Sequence, residues 1–109
     1  MEIFHIARAE DWDEAGLGGQ YTVSTLDRTL DEVGFIHAAR PEQVGIVYDA
    51  FYAGKGLDLV LLTIDTDRLD VPWSEDPVGD TTYPHVHGPL AVGAVVDVQP
   101  LPDALDGLD

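Results

Sequence analysis

The chain has no cysteine, and that absence excludes a disulfide framework, a thiolate nucleophile and cysteine-ligated zinc or iron–sulfur centres. It is also poor in cations, with five Lys and Arg against twenty-one Asp and Glu and a formal charge of −16. A field of that sign repels phosphate backbones and anionic lipid, so no nucleic acid and no membrane is expected as a partner. Any anionic small ligand then needs a local positive feature to hold it. No window approaches the ~20 apolar residues of a membrane span, and the start, Met1 to His5, lacks the basic-then-apolar order of a secretion signal. The expected location is cytoplasmic. Neither a glycine-rich dinucleotide fingerprint nor a P-loop occurs, so a bound nucleotide would have to be held by other means.

What is present suffices for one core. The 109 residues are 45% hydrophobic and include two Trp, four Tyr and three Phe, which predicts a single globular domain over residues 1–101. The acidic residues 102–109 are expected to fray as a tail. Glu2 to Ile6 reads as a first strand, Ala9 to Ala15 as a short helix ended by Gly16 to Gly19, and Tyr21 to Val23 as an extended piece. Ser24 opens a weak helical pattern through Leu26, Leu30 and Val33 that Gly34 closes. Phe35 to Ala38 is a brief strand. Pro41 starts the clearest helix, running to about Ala53 with Val44, Val47, Tyr48 and Phe51 on one face. Leu57 to Ile64, nearly all apolar, predicts a central strand buried on both faces. Pro72 to Gly88 reads as a long irregular loop, and Val92 to Val98 as a last strand. Helices early and long strands late, without regular alternation, indicate an α+β domain with few helices rather than a doubly wound sheet.

The four histidines are the best functional clue, because imidazole alone among side chains titrates near neutrality without help. They stand in Phe4-His5, Gly34-Phe35-Ile36-His37 and Tyr83-Pro84-His85-Val86-His87-Gly88, beside apolar or aromatic neighbours. His5, His37 and His85 are predicted to converge on one pocket bordered by Arg40. At the turn from His37 to Pro41, Arg40 and the first free N–H groups of the following helix form a candidate anion-binding corner, although Glu42 in that first turn competes for the helix dipole. Tyr83 offers a flat surface for stacking or for packing the loop. His85 and His87 lie two apart, so in an extended segment they point the same way, an arrangement compatible with a metal or with two ordinary structural histidines. Trp12 and Trp73 read as core or lid residues.

The ordered set of a first-strand histidine, Gly34-Phe35-Ile36-His37 before a Pro41-Glu42-Gln43-Val44 helix start, the apolar strand leading to Asp65, and Tyr83-Pro84-His85 before Gly88-Pro89-Leu90 resembles the bacterial family called domain of unknown function 952. The likeness spans residues 2 to about 101. It implies a fold akin to the ADP-ribosyltransferases, with a split, mostly antiparallel sheet, a cleft between its halves and a link to NAD chemistry. By position it implies that His5 contacts a ribose and that His37 and His85 are the second and third motif histidines. The chain departs from the family pattern at Ala38 and Ala39, where small thiol or hydroxyl residues are usual, and at His87, where an aromatic is usual.

Three readings follow for the site. In the first, a pocket for NAD or an ADP-ribose-like nucleotide, with or without ADP-ribosyl transfer, uses His5, His37, Arg40, Tyr83 and His87 to bind and His85 as general acid or base. In the second, the same pocket binds a small metabolite without turnover. In the third, His85 and His87 serve a metal-dependent enzyme. No metal and no obligatory cofactor is expected under the first, NAD being substrate or ligand.

Overall fold

A computed structural model describes residues 1–107. The chain order is β1 (Glu2–Arg8), α1 (Ala9–Gly18), β2 (Gln20–Tyr21), β3 (Val23–Thr25), β4 (Arg28–Thr29), α2 (Leu30–Val33), β5 (Ile36–His37) and α3 (Pro41–Phe51), then β6 (Leu59–Asp65), β7 (Trp73–Val78), β8 (Thr81–Val86), β9 (Leu90–Ala91) and β10 (Val95–Leu101). The domain is α+β, and every strand pairing is antiparallel.

Two three-stranded sheets carry the architecture, one ordered β1-β6-β10 and the other β5-β8-β7. The expected central strand is β6, whose apolar side chains alternate between two cores. Leu62 and Ile64 join Ile3, Tyr21, Ile36, Val86 and Leu90 on one side. Leu59 and Leu61 join Phe4, Ile6, Val44 and Tyr52 on the other, beneath α3. A strand buried on both faces is apolar at nearly every position, here with Thr63 as the buried polar exception, which is why this segment shows no alternation in the sequence. Among the described residues no helix is long and apolar enough to cross a membrane.

Three segments differ from the sequence expectation. Ser24 does not open a helix; β3 and β4 form a tight hairpin instead, with Asp27 in the left-handed region at φ 61° and held by Arg8 at 2.6 Å. Leu26 and Leu30 belong to different cores, so their helical spacing is coincidental. The helix that does form is the single turn α2, capped by Thr29 through a reciprocal pair with Glu32.

The proline-rich Pro72 to Gly88 stretch is mostly a second hairpin, β7 and β8, turned at Gly79 with φ 66°. Its prolines mislead as strand breakers. Pro77 sits on an edge strand, where no ladder donor is missed, and the carbonyl of Pro84 accepts from Ala38 N at 3.0 Å. At the end of the chain, β10 continues to Leu101 and residues Asp103–Gly107 form a 3-10 turn that buries Ala104, so the acidic segment is docked through these positions. Residues 108–109 of the expected tail lie outside the described residues.

Gly88 closes the second hairpin onto the loop before it, and a Cβ there would lie 2.8 Å from Val71 Cγ1 and 3.1 Å from Val71 Cβ. The close approach is against a branched side chain near its backbone, which has little room to yield. Gly88→Ala is therefore expected to destabilise the domain by about 1–3 kcal/mol in urea unfolding. An unchanged midpoint would show that the Val71 loop moves freely.

Candidate functional site

The gap between the two sheets, closed on one side by α3, is a cleft of about 720 Å³. Phe4, Ile6, Val44 and Val47 give it an apolar floor, and His37, Tyr83 and the tip of the β7–β8 hairpin form one wall. Phe51 and Val78 stand at its mouth, 61% and 45% exposed. Opposite the hairpin, the β3–β4 turn and the loop after α3 bring Arg28 and Lys55 to the rim. These are two of only five cations in the chain. Among the described residues neither forms a salt bridge.

His5 contributes to this lining but is only 3% exposed and fully bonded. Its Nδ1–H donates to the His37 carbonyl at 2.5 Å, which leaves Nε2 to accept the Tyr21 hydroxyl at 2.9 Å. Burial drives its pKa down to about 4, so the ring is neutral near pH 7, in keeping with that bonding. Burial also pushes the Tyr21 phenol up, keeping it a donor. His5 thus ties β1 to β5 and holds the backbone of His37 in place. The ribose contact implied for it by resemblance has no free ring nitrogen to make it.

His37 and His85 are directly opposed across β5 and β8, with ring centroids 5.4 Å apart at 80°. Phe35 touches both, edge-on to His37 at 4.8 Å and stacked on His85 at 3.9 Å. His85 is 5% exposed, and its Nδ1–H donates to Asp76 Oδ2 at 2.8 Å. The hydrogen bond from His85, followed by that from Ser74, holds the Asp76 carboxyl below its ordinary value. His85 Nε2 is buried without a partner among the described residues. His37 is exposed to the cleft, and burial of part of its ring, then the nearby His85, lower its pKa.

Arg40 and His87 lie elsewhere. Arg40 clamps Glu42 at 2.7 Å and Glu75 at 2.6 Å on the outer side of the hairpin and also bonds the Thr82 carbonyl at 3.1 Å. The expected anion corner is filled from within, because Gln43 Oε1 accepts the Arg40 N–H at 2.9 Å while Glu42 takes the guanidinium. His87 is 38% exposed, and its Nε2–H donates to Ser74 Oγ at 2.6 Å, Ser74 giving its own proton to Asp76. Among the described residues no three His, Asp or Glu side chains are grouped to hold a metal. Trp12 and Trp73 both pack against the first core.

The structure therefore gathers His5, His37 and Tyr83 at one cleft, sets His85 directly behind His37, and leaves Arg40 and His87 out. Asp76, Ser74, Arg28 and Lys55 escaped the sequence reading. The first two face His85 and His87 only because of the hairpin register, Ser74 opposite His85 and Asp76 opposite Tyr83, and the Gly79-Asp80 turn was the available signal. The cations could have been found by asking where so few positive charges go.

The family model for a protein of unknown function, DUF952, matches residues 6–98. The chain belongs to that family. It is similar to the crystal structure of protein CC0527 from Caulobacter crescentus and to that of a double mutant of the same protein. Each shares 28% identity and a TM-score of 0.73, over 92% of this chain and 85% of that one. No curated protein sequence matches the chain. The DUF952 chain in hand and CC0527 thus share a fold.

Proposed function

We propose that the cleft binds a small ligand joining an aromatic or apolar ring to an anionic group, with NAD or an ADP-ribose-like adenine nucleotide as the fitting class. The observation that carries this reading is the pairing of an apolar floor with Arg28 and Lys55 at the rim of a cleft of about 720 Å³. That volume is within the usual range for small-molecule sites, which are mostly apolar with a few placed polar groups. In a chain of charge −16, two cations at one opening supply the local positive feature an anion needs. A cleft between the halves of a split sheet also accords with the resemblance to ADP-ribosyltransferases.

ADP-ribosyl transfer is a narrower reading. It calls for a carboxylate to support positive charge developing on the ribose, and no glutamate is among the cleft residues described. Of the aspartates there, Asp27 is engaged by Arg8, while Asp80 sits at the hairpin tip. Nucleotide binding is thus the reading the geometry favours over catalysis of transfer.

Calorimetry with NAD and ADP-ribose tests it. Binding is expected for at least one of them, and the paired substitutions Arg28→Glu and Lys55→Glu are expected to weaken it more than about tenfold, as for loss of charge-assisted contacts. The absence of heat with both nucleotides, or an affinity unchanged by the double reversal, would discard the proposal.

A further inference from the structure

Three of the four histidines have their hydrogen-bonding nitrogens committed or covered. His5 uses both nitrogens, His85 is buried against Phe35 with Nδ1 on Asp76, and His87 bonds Ser74 away from the cleft. His37 differs from all of them. It lines the cleft, its ring is exposed there, and among the described residues its side chain makes no hydrogen bond. We propose that His37 is the acid–base residue of the cleft, accepting a proton from a hydroxyl of the bound ligand, and that His85, held by Asp76, is its positioning residue.

The inference rests on the cleft being a ligand site, but its chemistry comes from the surroundings of the ring. The main chain of His37 is fixed by the bond to His5, and its ring is fixed by edge contacts with Phe35 and His85 that consume neither nitrogen. An imidazole oriented by packing and left with a free lone pair meets the geometric demand on a general base. Burial and His85 both favour its neutral form, so the lone pair is available near pH 7. In the step itself the ligand O–H bond breaks as an N–H bond forms, leaving the ligand oxygen anionic and His37 as imidazolium, and the reverse transfer restores both.

The titratable groups around the ring are His5 from β1, His85 and Tyr83 from β8 and Asp76 from β7. The rim adds Asp80 from the hairpin tip, and the facing side adds Asp27, Arg28 and Lys55. Asp76 reaches His85 rather than His37.

Diethyl pyrocarbonate, which acylates an imidazole only where it is neutral and accessible, tests this on the intact protein without any ligand. With modification located by mass spectrometry between pH 5 and 8, His37 is expected to react, as is the exposed His87, and the His37 half-maximal rate is expected below its ordinary pKa of 6.5. His5 and His85 should react more than about tenfold more slowly, since buried groups react only through local opening. In His85→Gln, with its fold verified by circular dichroism, the His37 midpoint should move upward, because His85 is the second cause that lowers it. An inert His37, a midpoint at or above 6.5, or a midpoint unmoved in His85→Gln would overturn the proposal. Failure of the nucleotide reading is seen separately: a reactive His37 that saturating ADP-ribose does not shield supports the base while rejecting that ligand.

Discussion

Lowering the pH from 7.5 to 5 is expected to remove about 2 kcal/mol of folding stability through His5 alone. The folded-state pKa is about 4, against 6.5 for the unfolded ring, and burial is the largest cause. Because the folded value is depressed, both states are neutral above 6.5 and His5 has no effect on stability there. Below that pH the unfolded chain takes up a proton that the folded one refuses, so stability falls until the folded pKa is reached. Urea unfolding of the wild type and of His5→Gln at the two pH values isolates the contribution, since every other titrating group is common to both proteins. Asp76 and Glu42, whose carboxyls are held low, keep their contribution above the unfolded carboxylate range and lose it only at lower pH. Equal pH slopes in the two proteins would mean that His5 is hydrated and that the tie from β1 to the His37 carbonyl is loose.

Truncating Leu62 to alanine should be the most damaging single change in the core, at about 2–5 kcal/mol. Leu62 is completely buried in the middle of β6, with His5 opposite it on β1 and Val98 opposite it on β10. Its side chain packs in the core that includes Ile3, Ile36 and Val86, and those residues hold the two sheets at the spacing that opens the cleft. Against a total stability of about 5–15 kcal/mol for a domain of ordinary size, the loss is a large share. Val98→Ala provides the contrast, because Val98 is 39% exposed on the edge strand and should cost about 0.5 kcal/mol or less. Similar urea midpoints for the two variants would contradict the assignment of β6 as the wall between two cores.

Much of this was legible in the sequence where local chemistry and tertiary packing agree. The strands β1 and β6 and the helix α3 were found nearly at their observed bounds, because an apolar run flanked by breakers and a proline-started amphipathic stretch each favour one structure. The α+β class followed from their order. The two hairpins were missed because their signals are short or contrary. Asp27 adopts a left-handed turn without a glycine, and Pro77 and Pro84 occupy strands that prolines normally avoid. For Asp27 the tertiary setting is a clamp from Arg8 and for Pro77 a place on a sheet edge, while Pro84 lies on the central strand β8, where its carbonyl still accepts from Ala38 N.

For the site, the sequence alone determined which side chains were available: no thiol, four histidines, five cations and a strongly negative field. It also marked His5, His37 and His85 by their apolar neighbours. Which nitrogen of each ring remains usable was decided only by the tertiary structure, through contacts such as Tyr21 to His5 and Asp76 to His85, made between residues 16 and 9 positions apart. The same holds for the positive charges. Arg40 carried the more suggestive local context but is consumed by Glu42 and Glu75, whereas Arg28 and Lys55, unremarkable in sequence, are delivered to the cleft by the hairpin turn and the loop after α3. Composition fixes the inventory of reactive groups; hydrogen bonding and burial, which act between residues distant in the chain, decide which of them face a ligand with a free valence.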